Sequence, residues 1–451
     1  MVTCTAMKRT HLLDFEIIPL YENMNKHLAR ENLFEPKMMK EHYFKAWFVC
    51  FVSSLFVLYN YMQATLFNSL SVDLMRTFHI QAQETGFLSA IYLFAVAIIS
   101  IPLGLALDRY STKKLTLITL GVCVAGAWLF AFAPTLWVAQ IARFIGGLGG
   151  SFALLGSFVL ITRWIPPNKI GLVTGLVITM AIIGGCLSQT PMVLLSQSLG
   201  WRGAVLSSAG FGIVIWLLIA IFVQDYPKTP TFQNRHPTMP KEKNLLKAMR
   251  YKEIWLGSLY NCMLSYSIVL FGAIWGNHYL VEIYYLSAFH ASFIIIMLYL
   301  GDLIGSLTYG WISDRIRNRK WLMILGAAIS VILILLLLYK NIQSATSLTV
   351  IFFLLGFTSS SSSLSHSLII KNVPQNIIGT AQGLAGVIII LSAALIQPFS
   401  GWIVDLSPGQ EPHDVFSEQN YHIILLMVLV GAIIGFIISI FIRDKSRTNE
   451  S

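Results

Sequence analysis

The sequence predicts an all-α membrane protein with twelve transmembrane helices in two pseudo-symmetric six-helix bundles. Three observations predict this fold. The 451 residues are 56% hydrophobic and only 12% charged, and the apolar residues form blocks of twenty or more, which is the length needed to cross a bilayer. A short basic hairpin occurs twice, and other segments of the two halves align at one constant offset.

The repeated hairpin reads Gly-x-x-x-Asp-Arg and ends an apolar block in each half. We predict that its Asp lies where the helix leaves the lipid and that its Gly allows close approach of a neighbouring helix. Each Asp is expected to bond a neighbouring helix N-terminus in one conformation and to release it in another. The predicted gating residues are therefore Gly104, Asp108, Arg109, Gly310, Asp314 and Arg315.

A second pair of segments confirms that the hairpins belong to an internal repeat. The stretch from Pro166 to Leu176 aligns with the stretch from Pro374 to Leu384, and the same offset carries Gln189 onto Gln397. One basic hairpin would be weak support, because basic loops are routine on a cytoplasmic face. Agreement across separate segments predicts two equivalent halves.

The first half begins after an N-terminal cytoplasmic extension, residues 1–43, and forms a bundle over 44–223. Its helix α1 (about 45–70) is polar for a membrane helix, and α2 (about 85–107) ends in the first hairpin. Pro134 turns the chain between the next two helices. The remaining predicted helices are α3 (about 115–133), α4 (about 137–162), α5 (about 169–193) and α6 (about 203–223).

The second half follows a proline-containing cytoplasmic linker, residues 224–252, and forms a bundle over 253–443 with a cytoplasmic tail at 444–451. The second hairpin ends α8, and each other helix is an apolar run bounded by polar residues. The predicted helices are α7 (about 254–277), α8 (about 286–311), α9 (about 321–339), α10 (about 347–371), α11 (about 377–403) and α12 (about 421–442).

The distribution of charge predicts the orientation. The net charge is +10, but the charges lie between apolar blocks, which argues against nucleic-acid binding. With both termini in the cytoplasm, every Lys and Arg lies in an inner segment except Arg76, Arg202, Lys340 and the intramembrane Arg143. The positive-inside rule therefore places both termini in the cytoplasm. The five cysteines form no C-x-x-C pair, and we expect neither a disulfide nor a metal framework.

These features resemble those of the major facilitator superfamily of secondary transporters. The resemblance covers about residues 44–443 and rests on the twelve helices, the doubled hairpin and the stretch Arg143-x-x-x-Gly147-x-Gly149 in α4, which is similar to the superfamily's helix-4 motif. The chain departs from the family at Ser111 and Arg317, where the hairpin usually has Gly, so a different turn geometry is expected there.

The subgroup is less sharply indicated. Helix α5 has Gly184-Gly185 and Pro191 but not the Gly-Pro-x-x-Gly-Gly stretch by which drug/proton antiporters resemble each other. The Tyr-rich α1 and the Arg143 region look similar to bacterial phagosomal nutrient transporters and to lysosomal dipeptide carriers of the superfamily.

Two charged residues within the spans are candidate binding residues. Asp302 lies in the apolar run of α8, near the predicted bilayer centre, where a carboxylate is costly unless it pairs, binds a cation or carries a proton. Arg143 can hold a carboxylate through two parallel hydrogen bonds. Together they would suit a zwitterion. The alternatives are a structural hydrogen bond for Asp302 and helix-end carbonyl contacts for Arg143.

Polar residues in the spans extend the predicted site. Such groups need partners in lipid, which a cavity between the halves or interhelical packing would supply. His366 follows a serine run in α10 and titrates near neutral pH, so we consider it with Asp302 for proton coupling, against a structural hydrogen bond. The further candidate substrate-binding residues are Tyr59, Asn60, Tyr61, Gln63, Gln189, Tyr260, Asn261, Tyr266 and Gln397.

The resemblance implies a transporter that works by alternating access in a bacterial inner membrane, with both termini cytoplasmic. We expect a monomer that takes up a small polar organic solute, an amino acid or short peptide in the first place, as a proton symporter. Uniport, export of a siderophore or drug-like solute, and a transporter-like receptor are the alternatives. No H-E-x-x-H or recognisable Ser/His/Asp set is present, so we expect no enzyme activity, cofactor or metal.

Overall fold

The computed structural model describes residues 36–106, 110–166, 169–226, 247–316, 318–339, 344–374, 377–406 and 418–442, except for the side chains of 36–43, 101, 104–106 and 418–419. The chain divides into two compact units, Met1–Val49 and Cys50–Ser451. Helix α1 begins in the first unit, and the second unit contains the other membrane helices. Most of the extension 1–43, most of the linker 224–252 and the tail 444–451 lie outside the described residues, so these domain boundaries stay predictions.

The described residues are almost entirely helical. Several helices contain a break, and α7 contains a π-helix while α10 contains a 3₁₀ turn. The helices are α1 (Pro36–Thr65 and Phe67–Phe78), α2 (Ala82–Ala106), α3 (Thr112–Ala131), α4 (Leu136–Gly150 and Phe152–Trp164), α5 and α6 (Ile170–Leu187 and Thr190–Phe222), α7 (Lys252–Ser267, Ile268–Trp275 and Gly276–Tyr284), α8 (Ala288–Ile316), α9 (Arg319–Leu338), α10 (Ala345–Ser359, Ser360–Ser363 and Leu364–Asn372), α11 (Ile378–Asp405) and α12 (Glu418–Phe441).

Eleven helical stretches of the described chain are long and apolar enough to cross a membrane, and the longest of them crosses twice. This stretch, Ile170–Phe222, has 53 residues, which at ~1.5 Å per residue is about 80 Å, against about 30 Å of hydrocarbon. Gly200 has φ 70° and ψ 165° within it. Glycine adopts this conformation readily, so the chain reverses there and separates α5 from α6. Twelve membrane helices result, as the sequence predicts.

Helices α1 and α7, which are equivalent in the repeat, both extend beyond the predicted ends and stop in the same way. Their C-terminal caps, His79 and Tyr285, each have a left-handed backbone with φ 52°. The cap N–H groups bond back to the carbonyls of Met75 and Leu280. Non-glycine residues seldom adopt positive φ, so the shared ending is a structural sign of the duplication.

The start of α3 explains how the first hairpin manages without the usual glycine. Ser111 has φ −59° and caps α3 by accepting a hydrogen bond from the Lys114 N–H. Asp225, which follows α6, accepts hydrogen bonds from the Ser111 hydroxyl and from the Lys113 N–H. A serine cap satisfies the free N–H groups of a helix start, so no left-handed residue is needed at position 111.

In each bundle, a lysine at the start of one helix bonds to a backbone carbonyl near the end of another helix. Lys113 at the start of α3 donates to the carbonyl of Ala220 near the end of α6, at 2.7 Å. Lys320 at the start of α9 donates to the carbonyl of Ile440 near the end of α12, at 2.6 Å. The last carbonyls of a helix lack partners within the helix, and a lysine supplies both a donor and a favourable charge there.

The two ends of the helices differ in how the halves meet. At the end that carries the α1–α2, α7–α8 and α11–α12 connections, here called the closed end, helices of the two halves touch. A Cβ atom added at Gly86 of α2 would lie 2.5 Å from the Gln397 carbonyl oxygen, and one added at Gly401 of α11 would lie 2.3 Å from the Ala82 carbonyl oxygen. Glycine therefore permits close contact between the halves at this end.

At the opposite end, here called the open end, the space beside several glycines is empty. A Cβ atom added at Gly171 or Gly175 of α5, at Gly310 of α8, or at Gly379 or Gly383 of α11 would find no atom of a neighbouring element within 4 Å. These glycines lie on the half of each helix next to the hairpins. The halves therefore meet at the closed end, whereas these glycines of the open end make no contact with a neighbouring helix.

Candidate functional site

Asp302 occupies the middle of α8, between its ends at Ala288 and Ile316. Its side chain is half-buried and makes no hydrogen bond or ion pair to any residue that the structure describes. Its helix packs closely on α10, where a Cβ atom added at Gly356 would lie 3.0 Å from the Asp302 backbone N. A carboxylate at this depth without a protein partner is costly, so the role predicted for Asp302 in binding a cation or a proton stays a prediction.

Two tyrosines from different halves lie within electrostatic range of Asp302. They are Tyr61 of α1 and Tyr299 of α8. Tyr299 precedes Asp302 by three residues and therefore lies on the same helix face, and its ring packs against Gly185 and Gly272. Tyr61 is 36% exposed. The carboxylate and the two phenols form a group that we call the central triad, between the two halves.

The structure places Arg143 apart from this triad. Arg143 is only 3% exposed, and Nη1 donates to the Gln63 carbonyl at 2.9 Å. Its guanidinium carbon lies 4.5 Å from the Tyr92 ring centroid and 4.8 Å from that of Phe67. Aromatic faces attract a buried cation. Its contacts lie within the N-terminal bundle, and its Nε and Nη2 have no hydrogen-bond partner among the described residues.

The polar cluster of α1 is divided between two faces. Asn60 accepts a hydrogen bond from the Tyr92 hydroxyl at 2.6 Å, and Gln63 donates to the Ser208 hydroxyl at 3.1 Å. Tyr59 is fully buried against Gly212 of α6. Since successive helix residues differ by about 100°, Tyr61 faces the other half instead. Of the four, Tyr61 is the one near Asp302.

The cluster of α7 is divided in a similar way. Tyr260 donates to the Met323 carbonyl at 2.8 Å, and Asn261 donates to the Ser362 carbonyl at 3.0 Å, so both are bonded within the C-terminal bundle. Tyr266 is partly exposed, and its hydroxyl lies 2.9 Å from that of Ser392 on α11. Substrate contact stays a prediction for these residues, and partial exposure favours Tyr266 among them.

Gln189 joins the two halves at the closed end. Its amide nitrogen donates to the carbonyl of Gly272 in α7 at 3.1 Å, and its oxygen accepts from Asn68 at 2.8 Å and from Asn277 at 3.4 Å. The Asn277 backbone N–H donates to the Asn68 side chain at 3.0 Å. Three polar residues, one from each of three helices, thus form a network with the Gly272 carbonyl across the interface, and sequence reasoning did not place Asn68 or Asn277 in the site. Asn277 lies one position from the repeat equivalent of Asn68, which was the available signal.

A carboxylate strengthens the closed end at the contact of α2 with α11. Asp405 accepts hydrogen bonds from the backbone N–H groups of Ala82 at 3.2 Å and of Gln83 at 2.8 Å. These are the first residues of α2, whose free N–H groups and dipole favour an anion. Gln397 is buried on the same contact, with no partner for its Oε1 among the described residues.

The remaining predicted residues lie near the open end. His366 and Gln382 form a reciprocal pair at 2.8 Å, in which the Gln382 amide donates to the His366 carbonyl and its oxygen meets the His366 ring. Asp314 lies 3.8 Å from Arg319 and is largely exposed, and Arg315 stacks on Trp311.

In this conformation the close approach expected at Gly310 is not made. The same predictions for the first hairpin cannot be compared, because Asp108 and Arg109 lie outside the described residues and of Gly104 only its place in α2 is described.

The twelve helices of the described chain define a multi-pass integral membrane protein built from two bundles. The family model described as Major Facilitator Superfamily matches residues 52–280 and 267–451. The chain belongs to this superfamily, as the doubled hairpin predicted.

Solved structures show the same fold at low sequence identity. A bacterial homologue of the human lysosomal transporter Spinster, in an inward-facing and unoccupied conformation, has a TM-score of 0.72 at 15% identity and covers 90% of this chain and 99% of its own. A D-xylose–proton symporter has a TM-score of 0.67 at 16% identity over 86% of this chain and 96% of its own.

Among curated relatives the similarity is partial and the named solutes vary. The uncharacterized transporter YybO of Bacillus subtilis is 23% identical over 44% of this chain and 44% of its own length. The membrane sensor protein UhpC of Salmonella typhimurium is 24% identical over 57% and 62%. The putative niacin/nicotinamide transporter NiaP of Bacillus subtilis is 22% identical over 60% and 68%. The chain thus spans about half the length of the first relatives it matches.

Proposed function

We propose that the protein is a secondary active transporter that takes up a small polar organic solute, an amino acid or short peptide first, by alternating access. The observation that carries this proposal is a carboxylate, Asp302, that has no partner among the described residues and lies between two halves whose described contacts are at the closed end. Such an arrangement gives a solute a path to a central charged site from one side at a time. The Lys and Arg distribution assigns the open end to the cytoplasm and both termini to the same side.

We also propose that a cation bound at Asp302 neutralises the carboxylate while the protein changes the side of the membrane to which the site is open. A bare carboxylate disfavours reorientation through the membrane interior, so a cation must accompany it. We propose that this cation is a proton and that the protein is a proton-coupled transporter of the inner membrane that acts as a monomer, with uniport as the alternative. His366 is the second candidate, although its ring is already bonded to Gln382.

The test is transport by the purified full chain in proteoliposomes. We expect counterflow of at least one solute in a panel of amino acids and dipeptides, and accumulation when a pH gradient is imposed. The melting temperature of the purified protein shows whether it is folded. If the folded protein gives no counterflow for any solute, the result would count against transport.

A single variant tests the coupling role. The change Asp302→Asn should abolish proton-driven accumulation, whereas Asp73→Asn, a carboxylate bonded to Ser196 within the first half, should not. Wild-type accumulation by the Asp302 variant would refute coupling through Asp302.

A sensing role is the second candidate, because one relative is named a membrane sensor protein. A sensor would bind its solute without moving it. Saturable binding together with no counterflow of the same solute would favour sensing over transport, whereas counterflow at a rate that rises with binding would favour transport.

A further inference from the structure

The charged residues in the membrane interior limit which class of solute the protein can bind. Away from the helix ends, the described spans contain one basic residue, Arg143, and one acidic residue, Asp302. A site for a zwitterion needs both signs of charge at the same place. The contacts of these two residues therefore decide which part of a solute the protein can bind.

Arg143 is not available to a carboxylate in this structure. Three aromatic rings surround its guanidinium, those of Phe67, Tyr92 and Phe130. Only 3% of the residue is exposed, and the titratable groups within its electrostatic range, Tyr59, Tyr92 and Cys123, belong to the same bundle. Its unpaired nitrogens are enclosed by these rings and by α1, so a solute between the halves does not reach them.

The central triad offers the opposite chemistry. Asp302 is half-buried without a partner among the described residues, and Tyr61 lies within electrostatic range of it. Tyr299, one turn away on α8, is only 4% exposed and packs against Gly185 and Gly272, so its ring is not open to a solute. Carboxylate and aromatic faces together are the groups that bind an ammonium, through charge-assisted hydrogen bonds and cation–π attraction. The 36% exposure of Tyr61 leaves part of its surface open to a solute.

We infer that the central site binds its solute through an ammonium group, held by Asp302 beside the exposed part of Tyr61, with no accessible basic side chain for a carboxylate among the described residues of the spans. This inference rests on the proposed transport by alternating access, and it replaces the zwitterionic solute and the proton proposed above with an organic cation that carries a primary amine. The neutralising cation at Asp302 is then the solute's own ammonium. An inside-negative membrane potential accumulates such a monovalent cation by about fiftyfold at 100 mV without a proton.

The first experiment uses matched ligands on the purified full chain. Amino acids, their primary amides and their N-acetyl derivatives carry the same side chains but present a zwitterion, a cation and an anion. We expect the amides to raise the melting temperature and to exchange in counterflow, and the N-acetyl derivatives to do neither. N-acetyl derivatives that bind as well as the amides would overturn the inference.

Variants of the triad give the second experiment. Asp302→Asn should weaken amide binding about ten- to a hundredfold, because a charged hydrogen bond is lost, while Asp302→Glu keeps most of it. Tyr61→Phe retains the ring and should bind nearly as wild type, whereas Tyr61→Leu should lose about two- to thirtyfold. Unliganded melting temperatures within a few degrees of wild type exclude misfolding as the cause.

The outcomes separate this inference from the proposed function. If no solute exchanges at all, transport itself fails. If N-acetyl derivatives exchange and amides do not, transport stands and the ammonium site is refuted. If Asp302→Asn keeps amide counterflow but loses accumulation driven by a pH gradient, Asp302 carries a proton and the ammonium assignment is wrong. Accumulation of amides driven by a potassium diffusion potential, with Asp302 required for counterflow, supports it.

Discussion

Removal of the Asp405 carboxylate should open the closed end. In the structure Asp405 accepts two hydrogen bonds from the start of α2, at 3.2 and 2.8 Å, and these cross from one half to the other. They can exist only while α2 and α11 touch. Asp405→Ala therefore weakens this conformation and leaves the alternative, in which the contact is already broken, unchanged.

The size of the effect follows from known helix-cap energies. Loss of an N-terminal cap costs about 0.5–2 kcal/mol, and a carboxylate near a helix N-terminus adds about 0.3–1 kcal/mol. Asp405 is half-buried, so solvent screens part of its charge and values near the lower half apply. A shift of about 1–2 kcal/mol changes the ratio of the two conformations about five- to thirtyfold.

A cysteine at Ser292 measures this shift. Ser292 is fully buried, and its hydroxyl lies 3.0 Å from that of Thr190 across the halves, so Ser292→Cys reacts with a membrane-impermeant maleimide only when the closed end separates. In a background without the five native cysteines, Asp405→Ala should raise the labelling rate about five- to thirtyfold, and Asp405→Asn less, because an amide oxygen still accepts one bond.

The matched control is Asp73→Asn, which removes a charge at the same end without touching a contact between the halves. Its labelling rate should equal that of the parent protein. An unchanged rate in Asp405→Ala, or the same increase in Asp73→Asn, would refute the assignment of Asp405 to this contact.

Three further substitutions test other contacts. Arg143→Lys should lower the melting temperature by several degrees and leave solute affinity unchanged, because an ammonium cannot stack on rings while holding the Gln63 carbonyl; a selective loss of affinity for carboxylates would restore the clamp. Gln189→Leu should raise labelling at Ser292→Cys about tenfold, since three partners lose their hydrogen bonds; unchanged labelling would contradict this. Lys320→Met should lower the melting temperature by a few degrees without altering transport, and a loss of counterflow would be the contrary result.

Hydropathy and repetition were sufficient to predict the twelve helices, but not where all of them end. The predicted α1 stopped near residue 70, whereas the structure continues it to Phe78. The added turns contain Asp73 and Thr77, which read as loop residues in a sequence. They are helical because partners within the bundle satisfy their polar groups, Ser196 for Asp73 and Trp201 for Thr77. Helix α7 was shortened for the same reason.

For the candidate site, the sequence predicts how deep each residue lies in the membrane, but not which way its side chain points around the helix. Depth along a helix follows from counting residues, so the mid-membrane position of Asp302 was predictable. Direction around the helix was not, because the apolar lipid face and the apolar packing face look alike in sequence. The grouping of Tyr59 and Asn60 with Tyr61, and of Arg143 with Asp302, assumed directions that the sequence does not contain. Tyr299, three residues from Asp302, could have been chosen by helical spacing alone.

The empty glycines of the open end allow one conformation to be chosen without touching the site. A methyl group at Gly175 or Gly383 meets nothing here, and alanine favours a helix over glycine by about 0.5–1 kcal/mol. If those surfaces meet when the protein turns to its other side, the same methyl becomes a wedge between them. An alanine pair at these positions would then hold the protein facing one way, a useful form for raising state-specific antibodies.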